Sequence, residues 1–441
     1  MTTETAEIPV VPQEKHAENT TTFSAIRDLA REYLGTFATE FTVLASQLLA
    51  YKLAAHFLGK TGFSEYAVAR RTISLIYPLP LLGLAVALPR YVARTLGPES
   101  DTRAARYFGA AVWCIAIALL VSTLLINAFP GTFALLFFAG RQYANLILPL
   151  SLLLTGLVLH SLVYSYSRGR LEMKRANVLQ LINLGFVPLA AFVIFSDSVR
   201  SVLLAMGILT TAVSLVGLLL SPVKSVRLNV KPEAKELLRY GVQRVPGDFV
   251  LMALLTLPVT FVAHFSGIQQ AGYVAFGISV VNMIGSMFQP LGLILLPKAS
   301  RMLAGGAHAE LRTHVAQIVK ATALVSIFAS IVLEISAAGL IKLYLGPSFS
   351  DAVVILRIML LAALPFSLYC VLRNVIDAYH ENAVNALNLS ISFAAFLVIA
   401  SISLVVVRSP YQILWAFVLS ALLLAVLCRA ETARILAERA M

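Results

Sequence analysis

Twelve apolar stretches of about 20 residues each run through this chain, and their length restricts its fold more than any other feature. A helix of about 20 apolar residues crosses the hydrocarbon core of a bilayer, whereas the strands of membrane barrels are shorter and alternate polar with apolar positions. The sequence therefore predicts an all-α polytopic membrane protein with twelve transmembrane helices. The predicted spans are 34–58, 66–88, 107–128, 143–166, 177–196, 201–221, 244–265, 272–296, 316–340, 352–376, 383–407 and 411–428.

The composition agrees with this class and excludes others. Of the 441 residues, 59% are apolar and 13% are charged, whereas soluble globular proteins have about 25% charged residues. This leaves too little polar surface for a soluble enzyme and too much apolar sequence for a disordered or collagen-like protein. No nucleotide-binding, zinc or nucleophile motif has support from its neighbouring residues. The sequence therefore predicts a protein that is not an enzyme and that carries no metal or other cofactor.

The distribution of basic residues predicts the orientation. The net charge is +12, from 34 Lys and Arg against 22 Asp and Glu. With the N-terminus in the cytoplasm, the inner tails and loops hold 24 basic residues when Lys320 and Arg373, near the inner ends of their spans, are counted with them. The outer loops hold 5 and the remaining parts of the spans hold 5. Because cytoplasmic loops are enriched in Lys and Arg, both termini are predicted to be cytoplasmic. Topology accounts for most of the positive charge, so nucleic-acid binding is not expected.

The chain also resembles itself at an offset of 208 residues. Residues 29–59 and 237–267 share nine identities in 31 positions, and acidic residues also meet at this offset. Three of the matched pairs involve ionisable residues or glycine. They are Glu40 with Asp248, His56 with His264, and Gly59 with Gly267.

This repeat predicts the domain organisation. We expect a disordered cytoplasmic tail (1–28), an N-lobe (29–222), a cytoplasmic linker (223–236) and a C-lobe (237–441). Each lobe has six predicted spans, and an even number returns the chain to the same side of the membrane. The two lobes are therefore predicted to be parallel and related by an axis along the membrane normal, with a substrate path between them.

Charged residues inside spans are costly and usually face a cavity or a partner. The basic candidates for substrate binding are Lys52, Arg70, Arg71, Arg244, Arg357 and Arg373, and the acidic candidates for ion coupling or counter-charge are Glu40, Asp248 and Asp377. Cations outnumber acids, which suits an anionic substrate such as a phosphate or pyrophosphate, because arginine binds phosphate through a planar fork of donors.

Each candidate also has a structural interpretation. Arg244 with Asp248, and Arg373 with Asp377, are spaced as i,i+4 pairs that neutralise each other. Lys52, Arg70, Arg71 and Arg357 are predicted near the outer interface, where long basic side chains extend to water. His56 and His264 fit interface positions as well as proton relays.

Several segments resemble a known family. They are 62–67 (GFSEYA), Arg70-Arg71 and 87–91 (ALPRY) in the first repeat, and 271–273 (AGY), 290–292 (PLG) and Leu296-Pro297 in the second. These segments resemble the polysaccharide-export branch of the multidrug/oligosaccharidyl-lipid/polysaccharide (MOP) exporter superfamily. The resemblance extends from about residue 30 to about residue 430. It implies a MATE-like fold of twelve helices in two lobes, in the bacterial inner membrane.

The resemblance also implies a function. Members of that branch flip undecaprenyl-pyrophosphate-linked oligosaccharides outward, so basic cavity residues would hold the pyrophosphate, with Arg244 as a candidate. Glu40 and Asp248 would then serve as counter-charges or as sites for H+ or Na+. The expected partners are the lipid-linked oligosaccharide, membrane lipids, and a polysaccharide polymerase and glycosyltransferases of the same biosynthesis.

Two alternatives remain open on the sequence alone. A drug or cation antiporter of the same superfamily would use Glu40 as the coupling acid. A membrane-embedded polymerase or transferase would be an enzyme, and the short predicted outer loops argue against it.

Overall fold

The computed structural model describes residues 15–95, 100–221, 230–288, 308–380, 383–406 and 409–437, together with residues 291, 295, 298, 299 and 302. The regular structure in this part of the chain is helical. Residues 1–14 of the predicted disordered tail lie outside it, and the first helix begins at Lys15, within the predicted tail.

The described part before residue 222 is called here the N-terminal half. Most of its residues lie in long apolar helices, and a π-helical turn, Leu181–Phe186, joins two of them. Its helices are α1 (Lys15–Ile76), α2 (Pro78–Leu81), α3 (Leu84–Ala93), α4 (Ser100–Ala128), α5 (Pro130–Phe138), α6 (Ile147–Gly169), α7 (Met173–Gln180), α8 (Val187–Ile194) and α9 (Val199–Leu219).

The described part from residue 230 onward is called the C-terminal half. It begins with a polar helix that lies within and beyond the predicted linker, and continues with apolar helices. They are α10 (Lys231–Gly241), α11 (Val245–Ser286), α12 (His308–Tyr344), α13 (Ala352–Leu360), α14 (Ala363–Tyr379), α15 (Val384–Val406) and α16 (Pro410–Ala437).

The chain is a multi-pass membrane protein. In its described part nine helices are long and apolar enough to cross a membrane, and α13 with α14, bent by 42°, form a tenth. The nine are Leu34–Leu81, Ser100–Ala128, Arg141–Gly169, Met173–Ile194, Val199–Leu219, Lys231–Ser286, Ala309–Tyr344, Val384–Ile402 and Pro410–Ala437. The count differs from the predicted twelve because two of the nine, of 48 and 56 residues, are far longer than the bilayer requires.

Both long helices break at a glycine. Gly59 in α1 has φ 64° and ψ −168°, and Gly267 in α11 has φ 83° and ψ 170°. This conformation is open to glycine because it has no Cβ. The two glycines are 208 residues apart, which is the offset of the sequence repeat.

Helix α1 folds back on itself at its glycine. The ring centroids of Tyr51 and Tyr66 are 5.8 Å apart, whereas 15 residues of straight helix would separate them by about 22 Å. The Arg70 guanidinium, four residues further on, lies 5.7 Å from the Tyr51 ring. The helix is therefore a hairpin, with one arm on each side of Gly59.

Apolar side chains cover much of the exterior. On α4, Trp113, Ile117, Leu120 and Leu124 are between 46% and 62% exposed. A soluble monomer rarely exposes an apolar face of this size to water, whereas the surface that a membrane protein presents to lipid is apolar. The buried apolar core extends through the helices of both halves and includes residues of both arms of α1 and α11.

Candidate functional site

The centre of the molecule lies where residues 208 positions apart touch each other. The Arg71 guanidinium donates a hydrogen bond of 2.6 Å to the Ser279 hydroxyl. Further along the same two arms, a Cβ on Gly272 would collide with the backbone of Ser64. Since residues related by a two-fold operation meet only at its axis, these contacts locate a pseudo-two-fold axis between α1 and α11.

Aromatic residues of both halves close one end of this axis, the end that holds Gly59 and Gly267, called here the tip end. Phe63 lies 5.2 Å from Phe349 and 6.0 Å from Phe276 between ring centroids. The opposite end, where α10 lies, is called the base end. The aromatic cluster consists of Tyr51, Phe63, Tyr66 and Phe192 from the N-terminal half and Tyr273, Phe276, Tyr344 and Phe349 from the C-terminal half.

A polar cavity begins below this cluster. Its central part, of about 670 Å³, is lined by Leu44, Gln47, Tyr51, Arg70, Arg71, Ser74, Ser279, Asn282 and Met283. A second part, of about 1120 Å³, shares Arg71, Ser74 and Asn282 with the first and extends toward the base end. Met252 and Asn282, from the two arms of α11, line this second part together, so α11 is folded back as well.

Arg70 and Arg71 provide the positive charge of the central part of the cavity, and Arg168 lines its base-end part. The first two lie 11 and 12 residues beyond Gly59, about 17 Å along the helix from the bend. The second arm of α1 begins directly at the glycine bend rather than at residue 66, so the two arginines lie about three turns into it instead of one. Arg71 is 7% exposed and lines the cavity rather than the exterior.

Neither arginine is neutralised by an acid. No carboxylate among the described residues lies within 4.0 Å of them, and the buried Nε of Arg71 has no hydrogen-bond partner there. The bonds that they make go to hydroxyl groups, from Arg71 to Ser279 and from Arg70 to Tyr66 at 3.3 Å. Two adjacent guanidiniums at this depth, with free donors, form a site for an anion.

A polar network joins the base-end part of the cavity to Glu40. Gln180 donates a hydrogen bond of 2.7 Å to Glu40 and lies within hydrogen-bonding range of His160. Asn183 contacts the His160 ring nitrogen at 3.1 Å and donates to the Ser214 hydroxyl at 3.0 Å. The network therefore joins five elements of the N-terminal half, α1, α6, α7, the π-helical turn and α9, and His160 and Gln180 also line the cavity.

The π-helical turn Leu181–Phe186 contains Asn183. A π turn inserts a residue into a helix, often at a functional site. Here it directly follows Gln180, so two amides that are three residues apart both reach the network. Sequence reasoning missed Gln180, His160 and Asn183, because they lie on different helices and no local pattern connects them.

The predicted ion pairs of the C-terminal half do not form. Asp248 is exposed and no basic group among the described residues lies within 4.0 Å of it, although Arg373 and Arg244 act on it electrostatically. Arg244 instead donates a hydrogen bond of 2.9 Å to Tyr240, four residues earlier. The i,i+4 spacing permitted the Asp248 pair but did not require it, because a tyrosine one turn away in the other direction was equally close.

The second predicted pair is likewise replaced by other contacts. Asp377 accepts a hydrogen bond of 2.7 Å from Asn385. Arg373 lies over the Tyr369 ring at 5.6 Å and donates to its hydroxyl at 3.4 Å. Neither residue lines the described cavity.

The remaining candidates lie on the exterior. Lys52 and His56 are exposed, on the arm of α1 that precedes Gly59. Arg357 forms an ion pair of 3.3 Å with Glu334 of α12, and both side chains are almost half exposed. Of the six basic candidates, Arg70 and Arg71 are therefore the two that line the described cavity.

Comparison with solved structures identifies the fold. The chain is similar to a multidrug resistance MATE family transporter of the MOP superfamily in an inward-facing conformation, with a TM-score of 0.74 and 13% identity over 91% of this chain and 96% of that one. A MATE family transporter of the same superfamily in an outward-facing conformation gives 0.62, at 13% identity over 92% and 96%. Lipid II flippase MurJ in an inward closed conformation gives 0.68, at 15% identity over 90% and 89%.

No family model and no curated protein matches the sequence. At 13–15% identity the likeness concerns the fold, and it covers nine-tenths of the chain. The predicted all-α membrane architecture is confirmed: the chain has the fold that MATE transporters and the MurJ flippase share.

Proposed function

We propose that this protein is a flippase that carries an undecaprenyl-pyrophosphate-linked oligosaccharide across the bacterial inner membrane, for the synthesis of a surface polysaccharide. The observation that carries the proposal is the couple of buried Arg71 and half-buried Arg70, which line the central cavity and pair with no carboxylate of the described residues. A pyrophosphate carries two or more negative charges through the membrane, and two adjacent guanidinium forks match its oxygen atoms. Lipid II flippase MurJ, which is named for a lipid-linked substrate, has the same fold.

The transmembrane count also belongs to this proposal. Each of the two hairpin helices provides two spans, one on each side of Gly59 or Gly267. With the bent pair α13 and α14 counted as one span, the chain crosses the membrane twelve times, six times in each half. The N-lobe (29–222) and C-lobe (237–441) are then parallel repeats about the pseudo-two-fold axis.

The tip end faces the periplasm in this proposal, and the base end faces the cytoplasm. The 24 basic residues assigned to inner loops support this orientation. The aromatic cluster seals the tip end, while the cavity extends toward the base end. The conformation is therefore inward-facing, in agreement with the higher TM-score to the inward-facing MATE transporter. Transport follows when the halves rock about the axis and open the tip end.

The lining of the cavity suits a sugar below the phosphate. Ser74, Asn282 and Gln47 present hydroxyl and amide groups that both donate and accept hydrogen bonds. Tyr77 and Tyr164 add aromatic faces, on which the apolar faces of sugar rings can pack. This lining provides polar groups for the oligosaccharide while the lipid tail stays in the bilayer.

Ion coupling is assigned to Glu40. It is joined through Gln180 to the cavity wall, so its protonation or a bound Na+ can influence the cavity directly. Asp248 occupies the equivalent position in the second repeat and serves in this proposal as a counter-charge to Arg373 and Arg244.

The test is translocation in liposomes of defined lipid. Purified protein is reconstituted with a fluorescent pyrophosphate-linked oligosaccharide lipid, and the fraction that reaches the outer leaflet is measured with an impermeant lectin or quencher. We expect Arg70→Gln with Arg71→Gln to lower the rate at least tenfold. Lys52→Gln, which removes one charge outside the cavity, is the matched control and should retain the rate of the unaltered protein.

Equal rates for the double variant and the unaltered protein would contradict the proposal. The MATE likeness favours a second candidate, a drug or cation antiporter, in which Glu40 would exchange ions for a cationic drug. Uptake of a fluorescent cation into the same liposomes, driven by a pH or Na+ gradient, separates the two. Arg70 and Arg71, which pair with no carboxylate of the described residues, repel a cation in the cavity, so we expect no such uptake.

A further inference from the structure

Two arginines from different halves meet on one tyrosine at the base end. Arg90 of α3 donates a hydrogen bond of 2.5 Å to the Tyr240 hydroxyl, and Arg244 donates one of 2.9 Å to the same oxygen. Their guanidinium carbons lie 4.3 Å and 4.9 Å from the centroid of the Tyr240 ring. This group of three side chains is called here the base clamp.

The backbone fixes the position of the clamp. Gly83, just before α3, is so close to Gly241, at the end of α10, that a Cβ on Gly83 would collide with the Gly241 carbonyl oxygen. Gly83 also has φ 71°, which favours glycine. Tyr240 directly precedes Gly241, and Arg90 lies about two turns into α3, which begins just after Gly83. The contact between the two glycines therefore keeps Arg90 of the N-terminal half close to Tyr240 and Arg244 of the C-terminal half.

The clamp has two guanidinium groups, and Asp248, one turn beyond Arg244, offsets part of their charge without forming an ion pair with Arg244. Because both donor nitrogens lie within 2.9 Å of one oxygen, they are less than about 6 Å apart. No carboxylate of the described chain lies within 4.0 Å of either guanidinium. The two acids of α10 are already bound elsewhere, Glu233 to Arg106 at 2.8 Å and Glu236 to the Tyr107 hydroxyl at 2.5 Å.

Both arginines are exposed, and each uses one hydrogen bond on Tyr240. Most of their donors therefore have no partner among the described residues, and the two nitrogens on Tyr240 are close enough for one phosphate group to reach both arginines. An uncharged ligand would leave the repulsion between the guanidiniums in place, whereas an anion removes it.

The location indicates which anions reach the clamp. Helix α10 buries Leu237 and Gly241 against the core and exposes Lys231, Lys235 and Arg239, as an amphipathic helix at the membrane surface does. This pattern is typical of a helix at the level of lipid headgroups, where basic residues attract anionic lipids.

We propose that the base clamp is a second phosphate site, separate from the Arg70–Arg71 couple, and that it binds the phosphate of a lipid at the membrane surface. The ligand is either the headgroup of an anionic phospholipid or the pyrophosphate of a lipid-linked substrate before it enters the cavity. The site stands on its own geometry and does not require that the proposed flippase activity be correct.

The test measures binding in a protein from which the two arginines of the central cavity have been removed. Full-length protein carrying Arg70→Gln and Arg71→Gln is titrated in neutral detergent with inorganic pyrophosphate, and binding is followed by calorimetry. Adding Arg90→Gln or Arg244→Gln should weaken the remaining affinity at least tenfold. Adding Arg239→Gln, which removes the same charge from exposed α10, should change it less than twofold.

A second arm identifies the source of the phosphate. The same variants are mixed with dioleoyl phosphatidate or with neutral phosphatidylcholine, and retained lipid is counted by native mass spectrometry. Retention of phosphatidate that depends on Arg90 assigns the clamp to phospholipid headgroups, whereas binding of pyrophosphate alone assigns it to a diphosphate carrier. Affinity that survives Arg90→Gln with Arg244→Gln, or that falls equally with Arg239→Gln, overturns the clamp.

Failure of the clamp and failure of the flippase can be told apart. Normal translocation by the Arg70→Gln, Arg71→Gln protein would remove the proposed function and leave the binding test unaffected. Loss of binding specificity at Arg90 and Arg244 would remove the clamp and leave the translocation result unaffected.

Discussion

The two halves of this molecule have the same bent central helix but carry different chemistry on it. At equal distances from the bends, the N-terminal half has Arg71 and the C-terminal half has Ser279. Nearer the base end, Glu40 is held by Gln180 at 2.7 Å. Its counterpart Asp248 makes no hydrogen bond or ion pair with any described residue.

The two halves share one backbone geometry but differ in the polar side chains that they place on it. The shared features, Gly59 with Gly267 and the contact of Ser64 with Gly272, set the geometry of both hairpins. The charged and hydrogen-bonded groups around the cavity are concentrated in the N-terminal half. We therefore expect substitutions in the N-terminal half to affect transport, and the equivalent substitutions in the C-terminal half to affect it much less.

The largest expected effect comes from the pair on the axis. Arg71→Ser should reduce translocation to background, because the cavity loses its buried guanidinium with the unpartnered Nε. Adding Ser279→Arg should restore at least a tenth of the activity, since the axis brings an arginine from the other half to nearly the same place. The rate is measured in the liposome assay.

The exchange has its own control. Ser279→Arg in the unaltered protein places three arginines in one cavity, and we expect its rate to fall because of their repulsion. If the exchanged protein were as inactive as Arg71→Ser alone, the two halves would not be interchangeable at the axis.

The second effect compares the two acids. Glu40→Gln should lower the rate at least tenfold and remove its response to an imposed pH or Na+ gradient, because a hydrogen-bonded charge at the cavity wall is lost. Asp248→Asn should change the rate less than threefold. An equal loss in both variants would mean that the acids act together and that the network around Gln180 is not what distinguishes them.

The smallest expected effect concerns the tip end, which the aromatic cluster closes. Gly272→Val introduces a side chain where even a Cβ collides with Ser64, so it should separate the two halves at the tip end. We expect a cysteine at Ser74 to react several-fold faster with an impermeant thiol reagent added from that side. Gly339→Val is the control, because a Cβ there meets no atom within 4 Å, and it should leave the reaction rate unchanged.

The sequence predicted the fold well because its signals are local. Apolar stretches of membrane length identified the helices, and the offset of 208 identified Gly59 and Gly267 as a pair before their backbone angles were known. The cost of charge inside a span also identifies Arg70 and Arg71 as candidates. Their distance from the start of the second arm does not follow from the sequence pattern, because a glycine bend replaces the loop expected between spans 1 and 2.

The polar network was out of reach for a physical reason. His160, Gln180 and Asn183 come together through the packing of separate helices, and a π-helical turn sets the register of two of them. Apolar periodicity carries no information about such a turn. The predicted ion pair between Arg244 and Asp248 does not form for a related reason. The i,i+4 spacing shows which side chains can meet, and Arg244 bonds to Tyr240, one turn earlier, instead.

The hydrogen bond between Arg71 and Ser279 has a consequence for how such a chain can arise. In a symmetric dimer of identical halves, a residue on the two-fold axis meets its own copy, so arginine would face arginine and serine would face serine. An arginine facing a serine requires two different sequences. If the halves descend from one duplicated gene, this contact became available only after the two copies were fused and could mutate independently. The single buried arginine at this position is then a result of that loss of symmetry.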